Sequence, residues 1–229
     1  PRSHLGVERQ LLEIGVDPAS HDRIVTSGDV TQVLMRLHGG GSVFHLGATR
    51  DHSIYDGTGV ERVPLEEAKA VLCTGLFDDL NDRLEDYEPL LDEMKQRGLV
   101  MICANPDIVV QRGDKLIYCG GALAELYAEM GGTVAMAGKP HRPIYDLCLT
   151  EAEMILGQPV DRARVLCIGD AVVTEARGAN DQGLDLLFVA SGIHGAETIG
   201  PDGLNTAAVE RLLAKDGAKA AWAIADLAW

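Results

Sequence analysis

Two ionisable residues stand where apolar runs give way to glycine or proline, Lys139 in Gly138-Lys-Pro-His141 and Asp170 in Val165-Leu-Cys-Ile-Gly-Asp170, and a second carboxylate, Glu175, follows five residues after Asp170 at what looks like a helix start. Val165 to Ile168 is continuously apolar, which predicts a strand buried on both faces and sets Asp170 just past its carboxyl end. In open α/β sheets ligands bind at that edge, so a carboxylate there is placed to act on a ligand or a metal. The same residue also suits an ordinary turn or N-cap. Lys139 holds the corresponding place after the apolar Thr133 to Ala137 and before a helix that Pro140 permits. If the two strands are neighbours, an ammonium and a carboxylate converge at one sheet edge. Such a pair suits phosphate chemistry, the carboxylate holding Mg²⁺ and the lysine offsetting charge on phosphoryl oxygens. In isolation, Gly-Lys-Pro equally describes a solvated lysine beside a turn.

The elements that must position these groups alternate short apolar runs with helix-period segments, the pattern of a parallel sheet flanked by helices and hence an α/β fold. Strands are expected at Arg23 to Thr26, Ser42 to Leu46, Ala70 to Thr74, Leu99 to Ala104, Thr133 to Ala137, Arg164 to Ile168, Asp185 to Val189 and Ala220 to Ile224. Leu123, Leu126, Tyr127 and Met130 recur at helical spacing before Gly131-Gly132 stops the run, and Asp86 to Arg97 and Ile144 to Leu156 also read as helices. Gln111-Arg-Gly-Asp-Lys115 between two apolar triplets predicts a hairpin turn, which does not belong to a simple parallel array. A small α/β insertion over 75–135 is therefore expected, leaving a discontinuous core of 1–74 and 136–229.

Composition narrows the function classes. The formal net charge of −15 repels nucleic acid and anionic membrane surfaces, and no local basic patch reverses that field. The five cysteines are odd in number and never spaced as Cys-x-x-Cys, which argues against a disulfide framework and fits a reducing cytoplasm. No run approaches the ~18 apolar residues of a membrane span. Gly39-Gly-Gly41 and Gly131-Gly132 are neither dinucleotide fingerprints nor Walker loops, and the seven histidines show no metal spacing. His141 and His194 fall near the proposed site edge but read as structural or as supports for the site's other residues rather than as ligands.

Taken in order, Gly138-Lys139-Pro140 and then Gly169-Asp170-x-x-x-Thr174-Glu175-x-x-Gly178-Ala179 and Gly183 resemble motifs III and IV of the haloacid dehalogenase superfamily of phosphatases. Cys103-Ala-Asn-Pro-Asp107, Gly120-Gly-Ala122, Ser191-Gly-Ile-His194 and the closing Leu227-Ala-Trp229 resemble its subclass IIA, the NagD-like branch with the larger C2-type cap. The resemblance implies a Rossmann-like core with an inserted α/β cap, and a Mg²⁺-dependent phosphatase for a small phosphorylated metabolite such as a sugar phosphate or nucleotide. It also allows a homodimer. Residue by residue, it implies that Asp170 ligates Mg²⁺ and that Lys139 steadies the nucleophile and the transferring phosphoryl group. It further implies that Asn105 and Asp107 face the substrate, although a locally satisfied turn would account for them equally well. Glu175 stands where members usually carry aspartate, leaving open whether its longer side chain reaches the metal's water shell or weakens the site.

Members attack phosphate with a motif I aspartate, forming an aspartyl-phosphate that water hydrolyses. No counterpart is found here, and the resemblance places motifs I and II before a segment like Pro1-Arg2-Ser3. The nucleophile is therefore expected upstream. Asp51, Asp56 and Asp78-Asp79 lack the leading buried strand that such a residue needs. The competing expectation is a non-catalytic phosphoester-binding or scaffold protein of the same fold.

Overall fold

Apolar strands alternating with amphipathic helices build two compact units, which meet in sequence at Gly138 and Lys139. The computed structural model describes residues 2–112 and 115–228, so Pro1, Trp229 and the Gly113-Asp114 tip of the expected turn lie outside the described residues.

The first unit begins with helices α1 (His4–Glu13) and α2 (Ser27–Gly39). Arg23 to Thr26, expected as a strand, is not one. Its β-branched end is spent on a capping box, in which Asp29 N–H donates to Thr26 Oγ1 at 3.1 Å and Asp29 Oδ2 accepts the Thr26 N–H at 2.9 Å. Strands β1 (Ser42–Leu46), β2 (Glu61–Arg62) and β3 (Ala70–Cys73) follow, then α3 (Glu88–Gln96) and β4 (Val100–Cys103). The hairpin strands β5 (Val109–Arg112) and β6 (Lys115–Tyr118) precede α4 (Gly120–Glu129) and β7 (Thr133–Met136). The sheet is parallel in the order β2-β1-β3-β4-β7, while β5 and β6 pair with each other, antiparallel.

All four residues of β3 are buried, because helices cover both faces of the sheet. On one face Val71, Cys73, Met101 and Cys103 join Leu91 and Met94 of α3 and Leu123 and Tyr127 of α4. The other face receives Val30, Leu34 and Met35 of α2. The boundary expected at residue 75 thus falls between β3 and β4, which pair from Ala70↔Val100 to Cys73↔Cys103 within one sheet.

In the second unit come α5 (Arg142–Leu156), β8 (Leu166–Gly169), a π-turn over Val172–Ala176 and α6 (Arg177–Asp181). After these follow β9 (Asp185–Val189), α7 (Gly195–Thr198), the short β10 (Ile199–Gly200) and β11 (Gly203–Leu204), α8 (Thr206–Lys215) and β12 (Trp222–Ile224). β12, β9 and β8 form a parallel sheet in that order. Leu186 and Phe188 are buried on one face, toward the π-turn.

Two expectations change here. Among the described residues β8 is an edge strand, not one buried on both faces: Leu166 and Ile168 are 44% and 46% exposed, with Trp222 of β12 at 55%. The described residues cover one face of this sheet and leave the other largely open. In addition, β7 and β8 belong to different sheets, β7 laddering onto β4 and β8 onto β9. Among the described residues no helix is long and apolar enough to cross a membrane.

Close backbone approach sets the turn at the end of β4. Gly121 N–H donates to the Asp107 carbonyl at 3.0 Å, and a Cβ on Gly121 would stand 2.1 Å from the Pro106 carbonyl oxygen. Gly121→Ala is therefore expected to destabilise the protein by about 1–3 kcal/mol, the usual cost of overpacking, measured by urea unfolding. An unchanged midpoint would contradict this packing.

Candidate active site

The site is built where β8 ends. Gly169 closes the strand and Asp170 follows it directly, so the aspartate stands at the sheet's carboxyl edge as expected. Its Oδ2 accepts the Ile193 N–H at 2.9 Å, and Ile193 lies in the loop that leaves β9. The close contact needs a glycine beside it, because a Cβ on Gly192 would fall 2.1 Å from that same oxygen. Next along this loop, Ser191 Oγ donates to Asp226 Oδ1 at 2.8 Å, tying it to the segment beyond β12.

Glu175 rises from the π-turn, an irregular helical turn frequent at functional sites. Gly169 makes room for it: a Cβ there would stand 2.1 Å from the Glu175 Cγ. The Glu175 carboxylate accepts Lys139 Nζ on Oε1 and the Thr174 hydroxyl on Oε2, the latter at 2.6 Å. Burial pulls the Glu175 carboxyl toward its neutral form. The hydrogen bonds from Lys139 and Thr174 and the charge of Lys139 outweigh burial, and its pKa ends below the ordinary value of 4.5.

The structure thus brings Lys139 to Glu175, whereas sequence reasoning paired Lys139 with Asp170 through neighbouring strands. Lys139 reaches its partner from the segment before α5, and its side chain remains half-exposed. At that junction His141 stands just before α5 without a capping hydrogen bond from its side chain, and burial together with the Arg177 charge pushes its pKa down, favouring the neutral imidazole. Tyr145 of α5 packs on Gly178 of α6, where a Cβ would lie 2.1 Å from the phenol oxygen. Burial raises the Tyr145 pKa, so the phenol keeps its proton.

Asn105 and Asp107 belong to the first unit, in the loop after β4. The Asn105 carbonyl accepts the Cys103 thiol at 3.2 Å, and the exposed Asp107 uses its carbonyl to hold Gly121. Thr174, Gly192 and the Ile193 N–H received no role from the sequence. Thr174-Glu175 and Ser191-Gly-Ile-His194 were visible there as motif pieces, but not what they touch.

Among the described residues no three His, Cys, Asp or Glu side chains cluster closely enough to hold a metal by themselves. The donors on offer are the Asp170 oxygens, while the Glu175 charge is already answered by Lys139. That donor set fits Mg²⁺, which is commonly bound through one or two carboxylates and completed by water and substrate phosphate.

A family model described as HAD-hydrolase-like matches residues 136–215. The chain is 49% identical to a hydrolase of the haloacid dehalogenase-like family from Brucella suis 1330, with a TM-score of 0.70 over 86% of this chain and 75% of that one. It shares its fold, at 20% identity and a TM-score of 0.70, with a p-nitrophenyl phosphatase from Archaeoglobus fulgidus, over 98% of this chain and 79% of that one. A glycerol phosphate phosphatase from Mycobacterium tuberculosis, in complex with calcium, has the same fold at 22% identity and a TM-score of 0.58, over 84% of this chain and 55% of that one. No curated protein matches significantly.

Because the folded-state pKa of Glu175 is depressed, the ion pair's contribution to stability is fully present above the ordinary value of 4.5 and is lost as pH falls through the folded value. The stability difference between the unmodified protein and Glu175→Gln should accordingly shrink below that pH in urea unfolding. A difference that stays constant into strong acid would contradict the pairing.

Proposed function

The chain belongs to the haloacid dehalogenase-like hydrolases and has the fold expected of their subclass IIA branch, and from that premise we propose that it is a Mg²⁺-dependent phosphatase acting on a small phosphomonoester. The observation that carries the reading is the Lys139 ammonium held by Glu175 on the turn that Asp170 opens. Phosphatase activity in the fold neighbours from Archaeoglobus fulgidus and Mycobacterium tuberculosis supports it.

Mg²⁺ bound at Asp170 would draw negative charge from the phosphoryl oxygens. Asp170 is kept in place for this by the Ile193 N–H and by the space that Gly192 leaves. Lys139 carries three N–H donors, so one serves Glu175 while the others can meet phosphoryl oxygens. Glu175, held by Thr174 on its second oxygen, orients the ammonium. Its role here is positioning, with direct contact to the metal's water shell as a further proposal.

The nucleophilic aspartate of this family's chemistry is proposed to ride a further strand beside β8. The exposed apolar face around Leu166, Ile168 and Trp222, together with the open edge of β8, supports that arrangement, because such surface is ordinarily covered or paired. The small metabolite and a cytoplasmic setting are proposed with it. The first unit is proposed to act as the cap.

The test is phosphate release by the whole protein from p-nitrophenyl phosphate, with and without Mg²⁺. Asp170→Asn should abolish Mg²⁺-dependent release, and Lys139→Ala should cut kcat by roughly 10²–10³, as loss of a charge-stabilising donor does. Glu175→Asp should leave activity intact or raise it. Unchanged turnover in Asp170→Asn or Lys139→Ala would remove the site assignment. Phosphoester binding without turnover in the unmodified protein would favour the non-catalytic reading.

A further inference from the structure

Asp170 is shaped by a loop that the rest of the chain must hold still. The loop leaves β9, and its Ile193 N–H donates to Asp170 Oδ2 at 2.9 Å, which leaves Oδ1 as the oxygen for a metal. Contact is close along the whole side chain: a Cβ on Gly192 would stand 2.1 Å from Oδ2 and 2.2 Å from the Asp170 Cβ. Where packing is this tight, a shift of the loop moves the carboxylate with it.

Both ends of the loop are fastened, by different means. At the far end the buried Thr198 hydroxyl donates to the Ala190 carbonyl at 2.6 Å and lies 2.8 Å from the His194 carbonyl. At the near end the pairing of β9 with β12 runs on past both strands: Ala190 N–H donates to the Ile224 carbonyl and Ser191 N–H to the Ala225 carbonyl, each at 2.9 Å. One residue further on, side chains take over. Ser191 Oγ donates to Asp226 Oδ1 at 2.8 Å, and the same oxygen accepts the Leu227 N–H at 3.1 Å, which fixes the carboxylate against its own backbone. The bond to Asp226 thus stands next to the residues that touch Asp170.

We propose that Asp226 is a positioning residue for the metal site: through Ser191 it sets the loop that orients Asp170, without touching the metal itself. The inference rests on the reading of Asp170 as a Mg²⁺ ligand. Asp226 is exposed, so a place in the core does not account for it. What it supplies is an acceptor, not a charge. An asparagine can offer the same oxygen to the Ser191 hydroxyl and the Leu227 N–H, whereas an alanine offers none. Groups that orient the ligands of a metal commonly change its affinity by about 10–100-fold when they are lost.

The experiment measures metal affinity of the whole protein without substrate. Mn²⁺, which takes the carboxylate and water ligands that Mg²⁺ takes, is titrated by EPR and then displaced with Mg²⁺. Asp226→Ala should weaken binding about tenfold, the lower end of such effects, and Asp226→Asn should restore it. Ser191→Ala should match Asp226→Ala, and the double variant should lose no more than either single change, as for two groups acting through one bond. The unfolding midpoint of the metal-free protein, followed in parallel, should hold in Asp226→Ala. Unchanged Mn²⁺ affinity in Asp226→Ala or additive losses in the double variant would overturn the proposal. So would a loss in Asp226→Asn as large as in Asp226→Ala, which would mean that the Asp226 charge itself attracts the ion. If Asp226→Ala fails to fold, Ser191→Ala, which removes only the donor of the same bond, decides the matter. Asp170→Asn separates the two readings. If it keeps full Mn²⁺ affinity, the metal site itself is misplaced; loss there beside full affinity in Asp226→Ala removes only the role of Asp226.

Discussion

Parallel strand pairing is the constraint on which the rest depends. A parallel ladder puts every carboxyl end on one edge of the sheet, and the polar groups of interest stand on such edges. Thr74 follows β3 and Asn105 follows β4 in one unit; in the other, Asp170 follows β8, Ser191 follows β9 and Asp226 follows β12. The apolar strands bury what they can, and the first residues released from each ladder are free to do chemistry.

Within that frame, the candidate site is made by close approach. Gly169 and Gly192 are not turn residues by conformation here; neither is at positive φ. They matter because Glu175 and Asp170 occupy the space where their side chains would be. The acidic residues are thereby held against backbone, and a π-turn aims one of them at Lys139. In a chain of net charge −15 this lysine is held in place by its ion pair with Glu175 while about half of its side chain stays exposed.

The two units differ in how completely they are covered. In the first, helices on both faces bury β3 and β4 almost entirely, and its interior closes around Tyr127, whose hydroxyl donates to the Leu99 carbonyl at 2.7 Å. In the second, β8 has the same apolar composition, yet Leu166 and Ile168 stand exposed. Composition reports what a strand needs covered, and only the fold shows which face has been covered.

Much of the element order was legible in the sequence because it rests on local periodicity: β1 and β9 run as expected, and α5 starts within two residues of its predicted position. Asp170 at a strand's end and the Lys139 to Gly183 motif order were legible for the same reason, being statements about neighbours along the chain. Arg23 to Thr26 was misread because a β-branched run and a helix cap look alike until Asp29 closes the box. What only the tertiary structure decided were the pairings between distant segments: β7 with β4 rather than β8, Lys139 with Glu175, and Arg50 with Asp79 across two loops. A strand's apolar run looks the same whichever neighbour it joins, and a charge carries no record of its partner, so both depend on the packing of the chain as a whole.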